Sequence, residues 1–198
     1  MRADYLSQHP FVDFVERLTL KTSVLTALKQ LESQRVMNTN LILYTIWFAQ
    51  NQYGRLLKQD FKKLLFAARP WHENVCLGLQ RVRDIVNQFH SDELSRVVET
   101  ELKLSNQIEQ HLIAEALLKF PSRRRNPLQQ LGDACYSITN YYGILQLQAN
   151  VEDRKSVDIL LQEAFPHLMT DEIEQTCRNS LDEPAAKTPF PQLRLEEL

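Results

Sequence analysis

At 198 residues, 43% hydrophobic and 24% charged, the chain has the composition of a globular domain. A chain this long can bury roughly 70% of its unfolded surface, so it needs neither a disulfide nor a structural metal to fold. A net charge of −2 argues against bulk nucleic-acid binding, and four glycines are too few for an open sheet with tight turns and phosphate loops.

The charge is uneven. Residues 1–90 carry 12 Lys/Arg against 7 Asp/Glu, and residues 91–198 carry 11 against 18. Such polarity suits an oriented protein partner, although two solvated faces account for it more plainly. Cys76, Cys135 and Cys177 are odd in number and far apart, with no CxxC pair and no Cys/His ligand spacing. Free thiols in a reducing cytosol are therefore expected.

The N-terminus, MRADYLSQHPFVDF, lacks the apolar core of a secretory leader, so a cytoplasmic chain is expected. Pro10 fits the first position of a helix capped by Ser7 or His9, with Phe11, Phe14, Val15 and Leu18 recurring at helical spacing. A second helix is predicted over 22–34, with Val24, Leu25, Leu28 and Leu31 inward. Next comes LILYTIWFAQNQYG. Its apolar run, 41–49, is too short for a membrane-spanning helix, which needs roughly 20 residues. Asn38, Thr39 or Asn40 can cap a helix start, and Gly54 suits the left-handed residue beyond a helix end. A helix over 39–53 would be apolar nearly all round and hence central, with a buried β-strand as the alternative.

The helix over 58–68 places Phe61, Leu64, Leu65 and Ala68 inward and Lys58, Lys62 and Lys63 outward. Pro70 is expected to open a further helix to about 88, burying Trp71, Val75, Leu79, Val82, Val86 and Phe89. Ser91 and Asp92 cap the longest helix, 92–119, with Leu94, Val98, Leu102, Ile108, Leu112 and Ala116 on its apolar face. Glu99 with Lys103, and Glu115 with Lys119, are spaced as stabilising helical ion pairs. Pro121 ends that helix, and Ser122, Arg123, Arg124, Arg125, Asn126 and Pro127 form a basic loop. A helix over 128–148 carries Leu131, Cys135, Ile138, Tyr142 and Leu145; shorter helices are predicted at 155–165 and 170–180. Residues 183–198 hold three prolines and read as a flexible tail. The expected architecture is a single-domain, all-α irregular bundle of about seven to nine helices over 1–182, with Trp47, Trp71, Leu79, Val98 and Leu102 in its core.

The chemistry inventory is sparse. No dinucleotide or Walker phosphate cradle, HExxH or GxSxG is present, and none of His9, His72, His90, His111 and His167 lies within four residues of another. No catalytic residue, metal ligand or cofactor is assigned. An enzyme or small-ligand reading would need His72, Glu99, Glu101 and His111 to converge from separate helices. Paired acids such as Asp171 and Glu172 read as partners of a helix N-terminus. Arg123, Arg124 and Arg125 offer a grip for an acidic partner, with a solvated turn the plainer reading and RNA binding the last-ranked one. Tyr141 and Tyr142 are adjacent, so one of them is expected at an edge suited to a protein interface. Phe190, Leu193 and Leu195 are alternating anchors in the tail that suit a partner's groove.

Three runs form a recognisable pattern: NLILYTIWFAQNQYGRLL, ARPWHENVCLGLQRVRDIV and VVETELKLSNQIEQHLI. Trp47, Gly54, Pro70, Trp71, Val75, Arg81, Arg83, Glu101, Leu102 and Gln110 carry it, over about 10–118. The pattern resembles a largely uncharacterised family of small all-helical proteobacterial proteins, and within it the adaptor subunits of the Legionella type IV secretion coupling complex. The resemblance implies a non-enzymatic adaptor in virulence-associated export, at the cytoplasmic face of the inner membrane. It also implies protein partners: small acidic chaperones like IcmS and IcmW, the C-terminal tail of a DotL-like coupling ATPase, and the effector proteins they recruit. The residues from Ser122 onward lie outside the match, and Gln52 and Tyr53 stand before Gly54 where the family pattern has small residues.

Overall fold

The computed structural model describes residues 9–35, 37–117, 122 and 124–182, and these form α-helices and one π-helical turn with no β-strand. In chain order the helices are α1 (Pro10–Thr19), α2 (Thr22–Arg35), α3 (Thr39–Gln50), α4 (Lys58–Trp71), α5 (Leu77–Gln88), α6 (Asp92–Glu115), α7 (Pro127–Ile144), α8 (Val151–Ala164) and α9 (Thr170–Asp182). The π turn, His72–Cys76, joins α4 to α5. The all-α bundle expected from the sequence is the observed fold. Among the described residues no helix is long and apolar enough to cross a membrane. The expected tail, 183–198, lies outside the described residues.

α3 answers the question its sequence poses. Its N-cap is Asn38, whose side chain accepts from Asn40 N at 3.0 Å, and every residue from 39 to 49 is buried. α7 packs along one side of it, and α6, α1 and α2 close round the rest. Fully burying one large apolar side chain is worth about 1.5–3 kcal/mol, and α3 supplies several of them. Phe11, Tyr44, Trp47, Phe48 and Tyr53 join in tilted and edge-on contacts with ring centroids 5.1–5.9 Å apart. α2 packs on α8, and α9 lies across α7 and α8. On α2, Val24, Leu28 and Leu31 are buried as expected, whereas Leu25 is exposed.

The end of α3 differs from expectation. Gln52, not Gly54, takes the left-handed position just beyond the helix, at φ 63°. Gln52 N donates to Ala49 O and Tyr53 N to Phe48 O, the paired bonds of a Schellman ending. Gly54 adopts its own positive φ of 92° two residues later, beneath the Arg125 guanidinium. The linker is then pinned to α7: Leu56 N donates to Ser137 Oγ at 2.8 Å, and Asn140 Nδ2 to Leu56 O at 2.9 Å.

Pro70 does not open a helix. It sits inside one, so that α4, the π turn and α5 form one continuous rod. A proline there removes one backbone bond and crowds the preceding turn, and the wider π turn begins two residues after it. Pro70 faces solvent, as does Phe66 one turn earlier, so the freed carbonyl is not trapped in the core. α8 begins earlier than expected because Asn150 and Asp153 cap one another reciprocally. α7 stops at Ile144, with Gln146 in a second left-handed Schellman position, at φ 56°.

Candidate functional site: an uncovered hairpin and the polar cluster at its root

α5 and the first half of α6 form an antiparallel hairpin. Its turn is closed by His90 at φ 52° and by Ser91, which caps α6. α5 contains no buried residue; its main neighbours are α6 and the π turn that leads into it. Only part of the apolar stripe read from the sequence faces outward, at Val82, Phe89 and Leu94, together with Ile85 and Val97, which that reading did not place on it. Val82 is 43% exposed, Ile85 54%, Phe89 72%, Leu94 51% and Val97 56%. Leu79, Val86 and Val98 are half-buried, as is Trp71, so of the five expected core residues only Trp47 and Leu102 are buried. Helical periodicity marks an apolar stripe but carries no information about what covers it. Single exposed apolar residues are ordinary on a protein surface, whereas five concentrated on one hairpin are not.

At the root of the hairpin the helices enclose a polar cluster. Glu109, on α6, is fully buried. Its Oε1 accepts from Asn38 Nδ2 and its Oε2 from Asn40 Nδ2, both at 2.6 Å. His72 Nδ1 lies 2.9 Å from Glu109 Oε1. Cys76 Sγ lies 3.9 Å from Glu109 Oε2 and 3.0 Å from Ser105 Oγ. Ser105 and Glu109 share a face of α6 one turn apart, and the π turn brings His72 and Cys76 to meet them. Trp71 Nε1 donates to Ser105 O at 3.0 Å, Gln110 Nε2 to Asn40 Oδ1 at 3.0 Å, and Asn38 N to the Tyr141 hydroxyl at 3.1 Å. Beside His72 a small cavity of about 40 Å3 is lined by Glu32, Met37, Leu77 and Gln80.

Burial by itself favours neutral His72, but its contacts with Cys76 and the Glu109 carboxylate outweigh this and push its pKa up to about 10. That direction favours the protonated ring beside the buried Glu109 carboxyl group. Among the described residues, His72, Cys76 and Glu109 are the group whose donor atoms approach as metal ligands do, all within 4.8 Å of one another. The sequence reading missed it. His72 and Cys76 stand four residues apart, a spacing in plain view, but Glu109 comes from a different helix.

The remaining candidates are scattered. Glu99 and Glu101 are exposed, and His111 lies at a different place, with its ring 5.8 Å from that of His9. The convergence with His72 that an enzyme built from these four would need does not occur. The expected Glu99–Lys103 pair is replaced by one between Lys103 Nζ and Glu16 Oε1, at 3.2 Å. Tyr141 and Tyr142 are both buried, because α7 is enclosed by α3 and α4 on one side and α9 on another; neither reaches an interface edge. Tyr141 stacks on Phe61 with centroids 5.4 Å apart.

Arg124 is exposed, whereas Arg125 Nε pairs with the buried Asp133 Oδ2 at 2.9 Å. Arg55 approaches the other oxygen of Asp133 at 3.7 Å and lies over the Tyr136 ring. The Arg125 charge is therefore used within the fold, at the edge of an open cleft of about 330 Å3. Arg123, Phe190, Leu193 and Leu195 lie outside the described residues, as does Lys119. All three cysteines are free and buried. The Cys177 thiol is held far above its usual range by its hydrogen bond with Cys135, by burial and by Asp158, which suits a packing role rather than a reactive one. Comparison with protein-family models, with curated proteins and with solved structures finds no match to this chain.

Proposed function

We propose that this chain is a non-enzymatic protein–protein adaptor whose α5–α6 hairpin is its docking arm. The observation that carries the reading is the outward apolar stripe of Val82, Ile85, Phe89, Leu94 and Val97 on an arm that the rest of the described chain leaves uncovered. A partner helix laid along the arm would bury these side chains in the helix-in-groove manner, with anchors three to four residues apart. The sequence resemblance gives the partners a concrete form. In that reading the chain is an adaptor like LvgA in a type IV secretion coupling complex, working with small acidic chaperones and the tail of a coupling ATPase to recruit effector proteins.

Such a complex needs an interface of about 800 Å2 per partner or more. Purification of the tagged chain from native cells, followed by mass spectrometry, tests the assignment. Chaperones and the coupling ATPase are expected in stoichiometric amounts; a free monomer contradicts it. A small molecule retained by the pure chain in the open cleft beside Arg55, Arg125 and Tyr136 would favour the competing small-ligand reading.

A further inference from the structure

We propose that His72, Cys76 and Glu109 form a binding site for a divalent metal ion of borderline softness, zinc being the best fit, which fastens the root of the hairpin to the body of the bundle. An imidazole nitrogen, a sulfur and a carboxylate oxygen are a donor set that zinc accepts. Zinc bonds of about 2.0–2.3 Å in a tetrahedron place neighbouring donors roughly 3.3–3.7 Å apart. The observed separations lie around that range, each to a different oxygen of the carboxylate: 2.9 Å from His72 Nδ1 to Glu109 Oε1 and 3.9 Å from Cys76 Sγ to Glu109 Oε2, with one donor atom from each residue within 4.8 Å of the others. Shifts of about an ångström complete the geometry.

The support around these donors is also of the kind metal ligands have. Asn38 and Asn40 each hold one oxygen of the carboxylate, and each oxygen keeps a second lone pair for an ion. Ser105 Oγ, 3.0 Å from Cys76 Sγ, orients the sulfur. A cavity of about 40 Å3 against His72 has room for one water. Two ligands come from the π turn and one from α6, so the ion would tie the α4–α5 rod to α6 at the point where the hairpin leaves the bundle. On loading, the imidazolium and the thiol each release one proton to solvent, and the metal takes their place against the carboxylate.

The test uses the full-length chain, stripped with a chelator and titrated with Co2+ alone. One ion per chain is expected, with a thiolate-to-cobalt charge-transfer band and the intense visible bands of four-coordination. Cys76→Ser loses the charge-transfer band, whereas Cys135→Ser keeps it. Glu109→Gln weakens binding by more than the roughly 10–100-fold that loss of a merely supporting group costs. No band at equimolar Co2+, or a band that survives Cys76→Ser, overturns the proposal. The unaltered chain decides the matter even where variants fail to fold. X-ray absorption of its zinc-loaded form must show one sulfur ligand, the rest nitrogen or oxygen; no sulfur, or two, refutes it.

Discussion

Replacing Glu109 with alanine removes the acceptor of Asn38 Nδ2 and Asn40 Nδ2, each at 2.6 Å, and the carboxylate that lies 2.9 Å from His72 Nδ1. Breaking a buried ion pair from one side costs about 3–5 kcal/mol, and a buried donor left without an acceptor about 1–3 kcal/mol. His72 limits the first cost by giving up its proton. Its pKa in the fold is about 10 against an ordinary 6.5. Linkage makes that difference worth about 4 kcal/mol at pH 7. The side chain is 16% exposed, and solvent screening lowers the figure to about 2–3 kcal/mol.

With the two amides included, Glu109→Ala is expected to cost about 4–9 kcal/mol, comparable to the whole stability of a marginal domain. Urea unfolding of the chelator-treated chain measures it. The pH dependence carries a sign. The folded pKa of His72 is raised, so its contribution is complete below pH 6.5 and is lost as pH climbs through about 10. The gap between native chain and variant should therefore narrow by about 1–2 kcal/mol from pH 7 to pH 9. A cost below about 1 kcal/mol, or a gap that widens with pH, would refute the buried ion pair.

Gln52→Gly should stabilise the chain by about 0.5–1 kcal/mol, because glycine adopts the left-handed conformation without steric penalty; thermal melting reads the shift. Tyr141→Phe should cost about 1–3 kcal/mol in chemical unfolding, because it orphans Asn38 N while leaving the Phe61 stack in place. Ile85→Lys and Val97→Lys, both at exposed positions, should each change stability by no more than about 0.5 kcal/mol; larger losses in urea would mean that the hairpin stripe is packed inside the fold.

Much of this bundle is legible in the sequence, for identifiable reasons. α1 announces itself through Pro10 and the spacing of Phe11, Phe14, Val15 and Leu18, and all four of those apolar residues are buried. α3 is apolar on every side and is enclosed on every side. What failed depends on non-local information. The stripe through Val82, Phe89 and Leu94 has the same periodicity as a core stripe, and only the path of the hairpin away from the bundle separates the two. Pro70 reads locally as a helix start, whereas α4 runs through it and continues by the π turn into α5. Tyr141 and Tyr142 point to different sides of α7, but both sides are covered. The His72–Cys76–Glu109 cluster needs α6 to return alongside the π turn, and no residue pattern within either segment signals it.

The adaptor account rests on the uncovered arm. Its most direct test is purification of the tagged chain from native cells, side by side with a Phe89→Asp/Val97→Asp double variant shown to be folded by circular dichroism. The account predicts that the unaltered chain brings down the chaperones and the coupling ATPase, and that the folded double variant runs alone. A double variant that retains the full set of partners would contradict it.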